Sequence, residues 1–262
     1  PRFVGAILHS EHARRSFERI GVPPERLLVA HNGYDPERME PRLSTVEARA
    51  ALGLPEQPTV AYSGRVQMSK GLDIVLEMAT RCPEIHFLLV GSEGEGEVER
   101  HARRLPNVTV VPWQKFDRTV RYLYAADVLL LPPSLGPLAV GNTVLPMKLF
   151  LYLAAGRALL APKAPDTEEL LVHGSNSRLV EPGDAEVASD ALRALVEDHE
   201  TRQRLAEGAF ETGKGLTWDA RASRIEAFLA ERLAQGGETP AKDPWSTVTW
   251  LKESARWLVE KR

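Results

Sequence analysis

The stretch "TVAYSGRVQMSKGLDIVLEMATRC", Thr59 to Cys82, decides the reading of the fold. Its first part is short, apolar on both faces and closed by Ser63 and Gly64, as buried parallel strands tend to be. Its last part places Leu72, Val75, Leu76 and Ala79 on one helical face. Between them, "SGRVQMSKG" (63–71) is a loop that follows a strand and opens a helix. Five further apolar runs end in Gly, Pro or Ser in the same way: "HFLLVGS" (86–92), "NVTVVPW" (107–113), "VLLLPPS" (128–134), "ALLAPK" (158–163) and "SRLVEPG" (177–183). Amphipathic stretches such as "EVERHARRL" and "FDRTVRYLYAAD" alternate with them. This alternation predicts an α/β, Rossmann-like doubly wound parallel sheet. Such a sheet hosts many activities, so function has to be read from its loops.

Outward from that core, "FVGAILHS", a helix from Glu11 to Ile20 and "RLLVAHNGYD" make one β-α-β step. One step is too little for a domain. Residues 1–33 are expected to be the last piece of an amino-terminal α/β domain whose remainder is not in this chain. "NGYDPERMEP" (32–41) reads as a linker, and residues 34–216 as the main domain. Beyond the last strand only helices are expected, at 184–197, 199–212 and 217–233. Residues 217–262 are expected to dock back on the amino-terminal domain. The end of the chain, "WSTVTWLKESARWLVEKR", carries Trp250, Leu251, Trp257 and Leu258 on one stripe. That stripe could rest on a membrane surface. Docking on protein is favoured, because Glu253 and Glu260 dilute its positive face.

Composition narrows the classes. The chain has 262 residues, 33 basic and 36 acidic, for a net charge of −3. A polynucleotide partner would favour a strong basic excess, so no nucleic acid is expected. The single Cys82 forms no internal disulfide, which suits a reducing compartment. No apolar run approaches the roughly 20 residues that span a bilayer. A cytoplasmic protein is expected, with contact at the inner face of the membrane left open.

Candidate chemistry concentrates in two loops. In "SGRVQMSKG", Gly64 and Gly71 let backbone approach a ligand, and Arg65 and Lys70 bring two cations beside a helix start. Arg grips a phosphate through two hydrogen bonds and Lys adds a point charge. Alternatively, both are solvated loop charges. In "GNTVLPMKLF", the backbone around Asn142, Thr143 and Val144 could hold an anion at a helix starting near Pro146, or Asn142 or Thr143 could simply cap it. "LLVGSEGEGEVE" looks like a nucleotide-binding turn through Gly91, without the full G-x-G-x-x-G spacing. Glu95 and Glu97 read as a helix start. There is no Asp-x-Asp for a metal diphosphate, no zinc-type clustering of the seven histidines, no G-x-S-x-G and no Walker-type loop.

The order of these pieces is more specific than any one of them. From "AHNGYD" through "SGRVQMSKG", "FLLVGSEG", "NVTVVPW", "YAADVLLLPPS" and "LPMKLFLYLAAGRALLAP" to "SRLVEPGD", the chain resembles the carboxyl-terminal, donor-binding half of retaining glycosyltransferases of family 4, which have the two-domain GT-B fold. "TWDARASRIEAFLAERL" resembles the closing helix of that family. The resemblance implies a nucleotide-sugar donor, UDP-, GDP- or other, handled without a metal. It implies that Arg65 and Lys70 hold the diphosphate and stabilise charge as the glycosidic bond breaks, so that these are the catalytic positions. It implies a donor site that includes Gly64, Gly91, Trp113, Asn142, Thr143, Val144, Lys148 and the position of Leu151, with the base near Val111 to Trp113. The acceptor, not identified by the sequence, would belong to the amino-terminal domain or a partner subunit.

One departure stands out. The family usually carries two glutamates here with seven residues between them, the second on the donor ribose. In this chain those places are Thr143 and Leu151, and between Asp127 and Asp166 there is no Asp or Glu at all. A charged acceptor gives hydrogen bonds worth about 1.5–3 kcal/mol, so losing one could cost about tenfold to hundredfold in affinity. Leu151 could equally be packing beside Leu149 and Leu153. Two outcomes stay open: a glycosyltransferase with a weakened or altered donor site, and a module that binds a nucleotide sugar or a partner after losing catalysis. A sugar-nucleotide epimerase is disfavoured, as no carboxylate and histidine set is placed to move a proton from carbon.

Overall fold

The computed structural model of the protein describes residues 4–135 and 145–235. Two short parallel strands, β1 (Ala6–Leu8) and β2 (Leu27–Val29), form a sheet of their own, joined through α1 (Glu11–Arg19). Ser10 caps α1 by accepting from the Ala13 amide at 3.1 Å. Leu8, Ala13, Val22 and Leu27 make the small core beneath it.

The main body starts with α2 (Thr45–Leu52), then runs β3 (Thr59–Ser63), α3 (Leu72–Arg81), β4 (His86–Ser92), α4 (Glu97–Ala102), β5 (Val108–Pro112), α5 (Phe116–Ala125) and β6 (Val128–Leu130). After the undescribed 136–144 come α6 (Met147–Ala155), β7 (Ala158–Pro162), β8 (Arg178–Val180), α7 (Ala185–Glu197), α8 (His199–Lys214) and α9 (Trp218–Gln235). The six strands from β3 to β8 lie in one parallel sheet in the order β5-β4-β3-β6-β7-β8. All six expected runs are therefore strands. The chain winds outward from β3 to β5, then returns to the other side of β3 with β6. The reversal point lies between β3 and β6, where doubly wound sheets bind their ligands at the carboxyl ends of the strands.

Side-chain alternation along β3 builds both faces. Val60 and Tyr62 pack with Leu72, Val75 and Leu76 of α3 and Leu192 of α7. Ala61 packs on the other face with Leu123 of α5 and with Leu149 and Leu153 of α6. Ile74 and Met78 are also buried, so α3 is covered more widely than the four expected positions.

Three features differ from expectation. First, α2 was not foreseen. It is set by a capping box, Ser44 accepting from the Glu47 amide and Glu47 accepting from the Ser44 amide, and ends on left-handed Gly53. Second, α6 starts near Pro146 as expected, but the proline itself is the N-cap, with φ −64° and ψ 130°, and not part of the first helical turn. Third, the linker 32–41 is anchored: Tyr34 and Met39 are buried in the core, and residues 37–39 form a short 3-10 turn.

The β1–β2 unit is tied to the main body at several points. Tyr34 exchanges backbone hydrogen bonds with Leu216 and Trp218, both 3.1 Å. Arg224 of α9 donates to the Val29 carbonyl at 2.7 Å, and Arg221 donates to that of Ala30. Glu169 accepts from the Glu11 amide at 2.7 Å and pairs with His31 Nε2 at 2.6 Å. Helix α9 thus reaches back to the β1–β2 unit. The segment of Trp250 and Trp257, expected from its sequence to be a helix, lies outside the described residues.

Candidate functional site

The carboxyl end of β3 is fixed by buried polar contacts. The Ser63 amide donates to Tyr152 Oη at 2.7 Å, the Gly64 amide to the Val90 carbonyl at 2.9 Å, and the Tyr62 hydroxyl to the Arg65 carbonyl at 2.9 Å. Burial raises both phenols above the usual tyrosine range, so they stay neutral hydrogen-bonding groups. Gly64 (φ +144°) and Gly91 (φ +117°) approach each other so closely that a Cβ on Gly91 would run into the Gly64 carbonyl. The approach coincides with an irregularity in β4 between Val90 and Ser92. Gly91 therefore serves a backbone-to-backbone contact within the site's wall.

Beyond β3, the loop turns through a 3-10 segment at Met68–Lys70 and left-handed Gly71 (φ +75°). A Cβ there would collide with Ser134 Oγ. The glycine lets this turn close on the end of β6, so both sides of the reversal point meet.

Three cations gather around this turn. Arg65 is 68% exposed and lies 3.7 Å from Glu93. Lys70 is exposed and acts electrostatically on Lys148. Lys148, from the first turn of α6, is mostly enclosed, its Nζ 3.8 Å from the centre of the Tyr62 ring. A Cβ on Gly64 would stand 2.7 Å from that nitrogen. Burial, with Lys70 second, pushes the Lys148 ammonium down to about 7.

Trp113 stands at the end of β5, 64% exposed, its amide bound to the Ser92 carbonyl at 2.7 Å. It lines a depression of about 690 Å³ with Ser92, Glu93, Glu99 and Pro112. Glu93 belongs both to this depression and to the pair with Arg65, so the two regions adjoin. Glu97 opens α4, while Glu95 pairs with Arg103. Glu99 does the fixing here, accepting from the Gly96 amide at 2.9 Å and from Ser92 Oγ at 2.5 Å.

Leu151 is partly buried against the same cluster that holds Leu149 and Leu153. Asn142, Thr143 and Val144 lie outside the described residues. The structure thus brings together Gly64, Arg65, Lys70, Gly91 and Lys148, places Trp113 in the adjoining depression and packs Leu151 on the core. Sequence reasoning missed Tyr62 and Tyr152 as the groups that hold this turn. Tyr152 sits in the quoted "LPMKLFLYLAAG" segment, yet its partner Ser63 is 89 positions away. No local signal announces that pairing. Among the described residues no group of three or more His, Cys, Asp or Glu side chains could hold a metal ion, and no helix is long and apolar enough to cross a membrane.

A parallel sheet in this order, flanked by helices, defines an α/β Rossmann-like domain, the fold of the domains of GT-B glycosyltransferases. Residues 57–198, more than half of the chain, match the family described as glycosyl transferases group 1, and the chain belongs to that family. Over 206 residues it is 29% identical to the sulfoquinovosyl transferase SQD2 of Arabidopsis thaliana, covering 76% of this chain and 39% of that protein. Over 189 residues it is 30% identical to the lipopolysaccharide core biosynthesis glycosyltransferase LpsE of Rhizobium meliloti, covering 69% and 52%. The chain spans about half the length of the curated relatives it matches. In fold it is similar to Anabaena HepE in complex with UDP and glucose, with TM-score 0.70 and 20% identity over 88% of this chain and 63% of that one. It is also similar to the carboxyl-terminal domain of the group 1 family protein LpcC from Francisella tularensis, with TM-score 0.57 and 17% identity, covering 70% and 97%.

Proposed function

We propose that this chain is the donor-binding half of a retaining glycosyltransferase of the family 4 kind, which transfers a sugar from a nucleotide-diphosphate donor without a metal. The observation that carries the reading is the gathering of Arg65, Lys70 and Lys148 around the glycine turn at the sheet's reversal point. As the glycosidic bond breaks, negative charge grows on the departing diphosphate, and cations already in place lower that barrier. Arg65 and Lys70 are the residues assigned to this task, with Lys148 beneath them on Tyr62. The depression at Trp113 suits a base, which an exposed aromatic ring can stack against. A uridine donor is favoured by HepE, whose structures hold UDP or UDP-glucose. Retention of configuration and family 4 membership are supported by the order of the quoted motifs. The coverage of the LpcC carboxyl-terminal domain supports the assignment to one half of a longer enzyme.

Calorimetric titration with UDP and GDP tests this reading. Saturable binding by one of them is expected, and no heat together with no thermal shift at millimolar ligand would overturn it.

A second reading has its own observation. Leu151 packs on the core, and no carboxylate lies between Asp127 and Asp166. This favours a module that binds a nucleotide sugar or a partner without transferring the sugar. Placing Glu at positions 143 and 151 of the full-length protein separates the two. Gain of hydrolysis or transfer supports an enzyme with a weakened site, and no gain with any common nucleotide sugar supports the module.

A further inference from the structure

Among the described residues, the Lys148 amine has no anionic partner of the kind that buried ammonium groups ordinarily have. From β3, Tyr62 offers only its ring face, at 3.8 Å, since its hydroxyl is committed to the Arg65 carbonyl. From the glycine turn, Arg65 is a cation engaged with exposed Glu93 at 3.7 Å. From the 3-10 segment, Lys70 repels it. From its own helix, Tyr152 is held by Ser63. None of these is an anion in contact with the amine. The chain from Val128 to Pro165 contains no Asp or Glu, so the residues leading into α6 bring no carboxylate either. Enclosure beside a second cation favours the neutral amine.

We infer that capture of the diphosphate donor is coupled to uptake of one proton by Lys148, so that the site completes its third positive charge only as the ligand arrives. The inference rests on the donor-site reading above and concerns how that site is regulated. The free amine, pushed down to about 7, is largely neutral above that pH. A diphosphate carries two negative charges and enters between Lys148, Lys70 and Arg65, which makes the ammonium favourable again. The proton comes from the buffer and goes onto Nζ. By linkage, donor affinity is highest below pH about 7 and falls by up to about tenfold per pH unit as pH rises between the free and bound pKa values.

The test is calorimetry of the full chain with UDP-glucose and GDP-mannose between pH 6.5 and 8. Their esterified diphosphates have no proton of their own to exchange in this range. Measurements at pH 8 in Tris and in HEPES separate buffer ionisation from binding heat. The expected result is uptake approaching one proton per donor bound at pH 8, affinity falling several-fold from pH 6.5 to 8, and loss of both effects in Lys148→Met. Donor binding with no net proton uptake, or a pH dependence that survives in Lys148→Met, overturns the inference and leaves the donor-site reading standing. Failure of both donors to bind at every pH overturns the two together.

Discussion

The hydroxyl of Tyr152, fully buried on α6, accepts the amide of Ser63 at the end of β3 at 2.7 Å. This contact joins the helix that carries Lys148 to the strand end that carries Gly64 and Arg65. The cations therefore share a scaffold rather than hanging from independent loops.

Replacing Tyr152 with Phe removes the acceptor and little volume. A partly buried amide left unpaired costs about 1–3 kcal/mol. A melting curve should show Tyr152→Phe several degrees below the parent protein, with donor affinity reduced as the Ser63–Arg65 turn loosens. An unchanged melting temperature would mean that the contact does not support the turn.

The same enclosure that depresses Lys148 gives a stability signature without any ligand. Its folded value, about 7, lies below the ordinary 10.5. Between these values the unfolded chain binds more protons, so stability rises with pH. The cost of burying the charge is present in full below pH about 7 and disappears by pH about 10.5. Lys148→Met should raise the melting temperature at pH 6.5, with a gain that shrinks steadily towards pH 10. A gain that does not vary with pH would place the amine in water.

At Gly91 both backbone and space forbid a side chain. Its φ of +117° strains any L-residue, and a Cβ would strike the Gly64 carbonyl. Strain alone costs about 1–3 kcal/mol. Gly91→Ala should lower the melting temperature and weaken donor binding together, because the clash pushes on the Gly64 turn that carries Arg65.

Glu169 links the two sheets through the Glu11 amide and His31. Glu169→Ala leaves both without that acceptor. Hydrogen exchange should then accelerate across α1 and β2 while the β3–β8 sheet keeps its protection. Equal acceleration in both parts would show that the contact supports the whole molecule instead of the junction.

Much of this architecture is legible locally. Strands β3 to β8 are buried on both faces, so each reads as an apolar run closed by a breaker, and their alternation with helices leads to the doubly wound sheet. Arg65 and Lys70 are visible because a strand, a glycine and a helix start flank them. Helix α2 also carries a readable signal, Ser44 and Glu47 three apart with Gly53 at the end, though it is fainter than the apolar runs around it. The support beneath the site was not legible. Tyr62 under Lys148, Tyr152 on Ser63 and Gly91 against Gly64 each depend on where distant segments meet in the sheet, a product of tertiary register that spacing along the chain does not encode.

The central claim is that the turn after β3 grips a diphosphate. Titrating the donor into the parent protein and into the Arg65→Ala/Lys70→Ala double variant at pH 6.5 tests it most directly. Two charge-assisted contacts of about 1.5–3 kcal/mol each predict an affinity loss of about a hundredfold or more, with the melting temperature nearly unchanged because both side chains are exposed. Equal affinity in the two proteins would contradict the account.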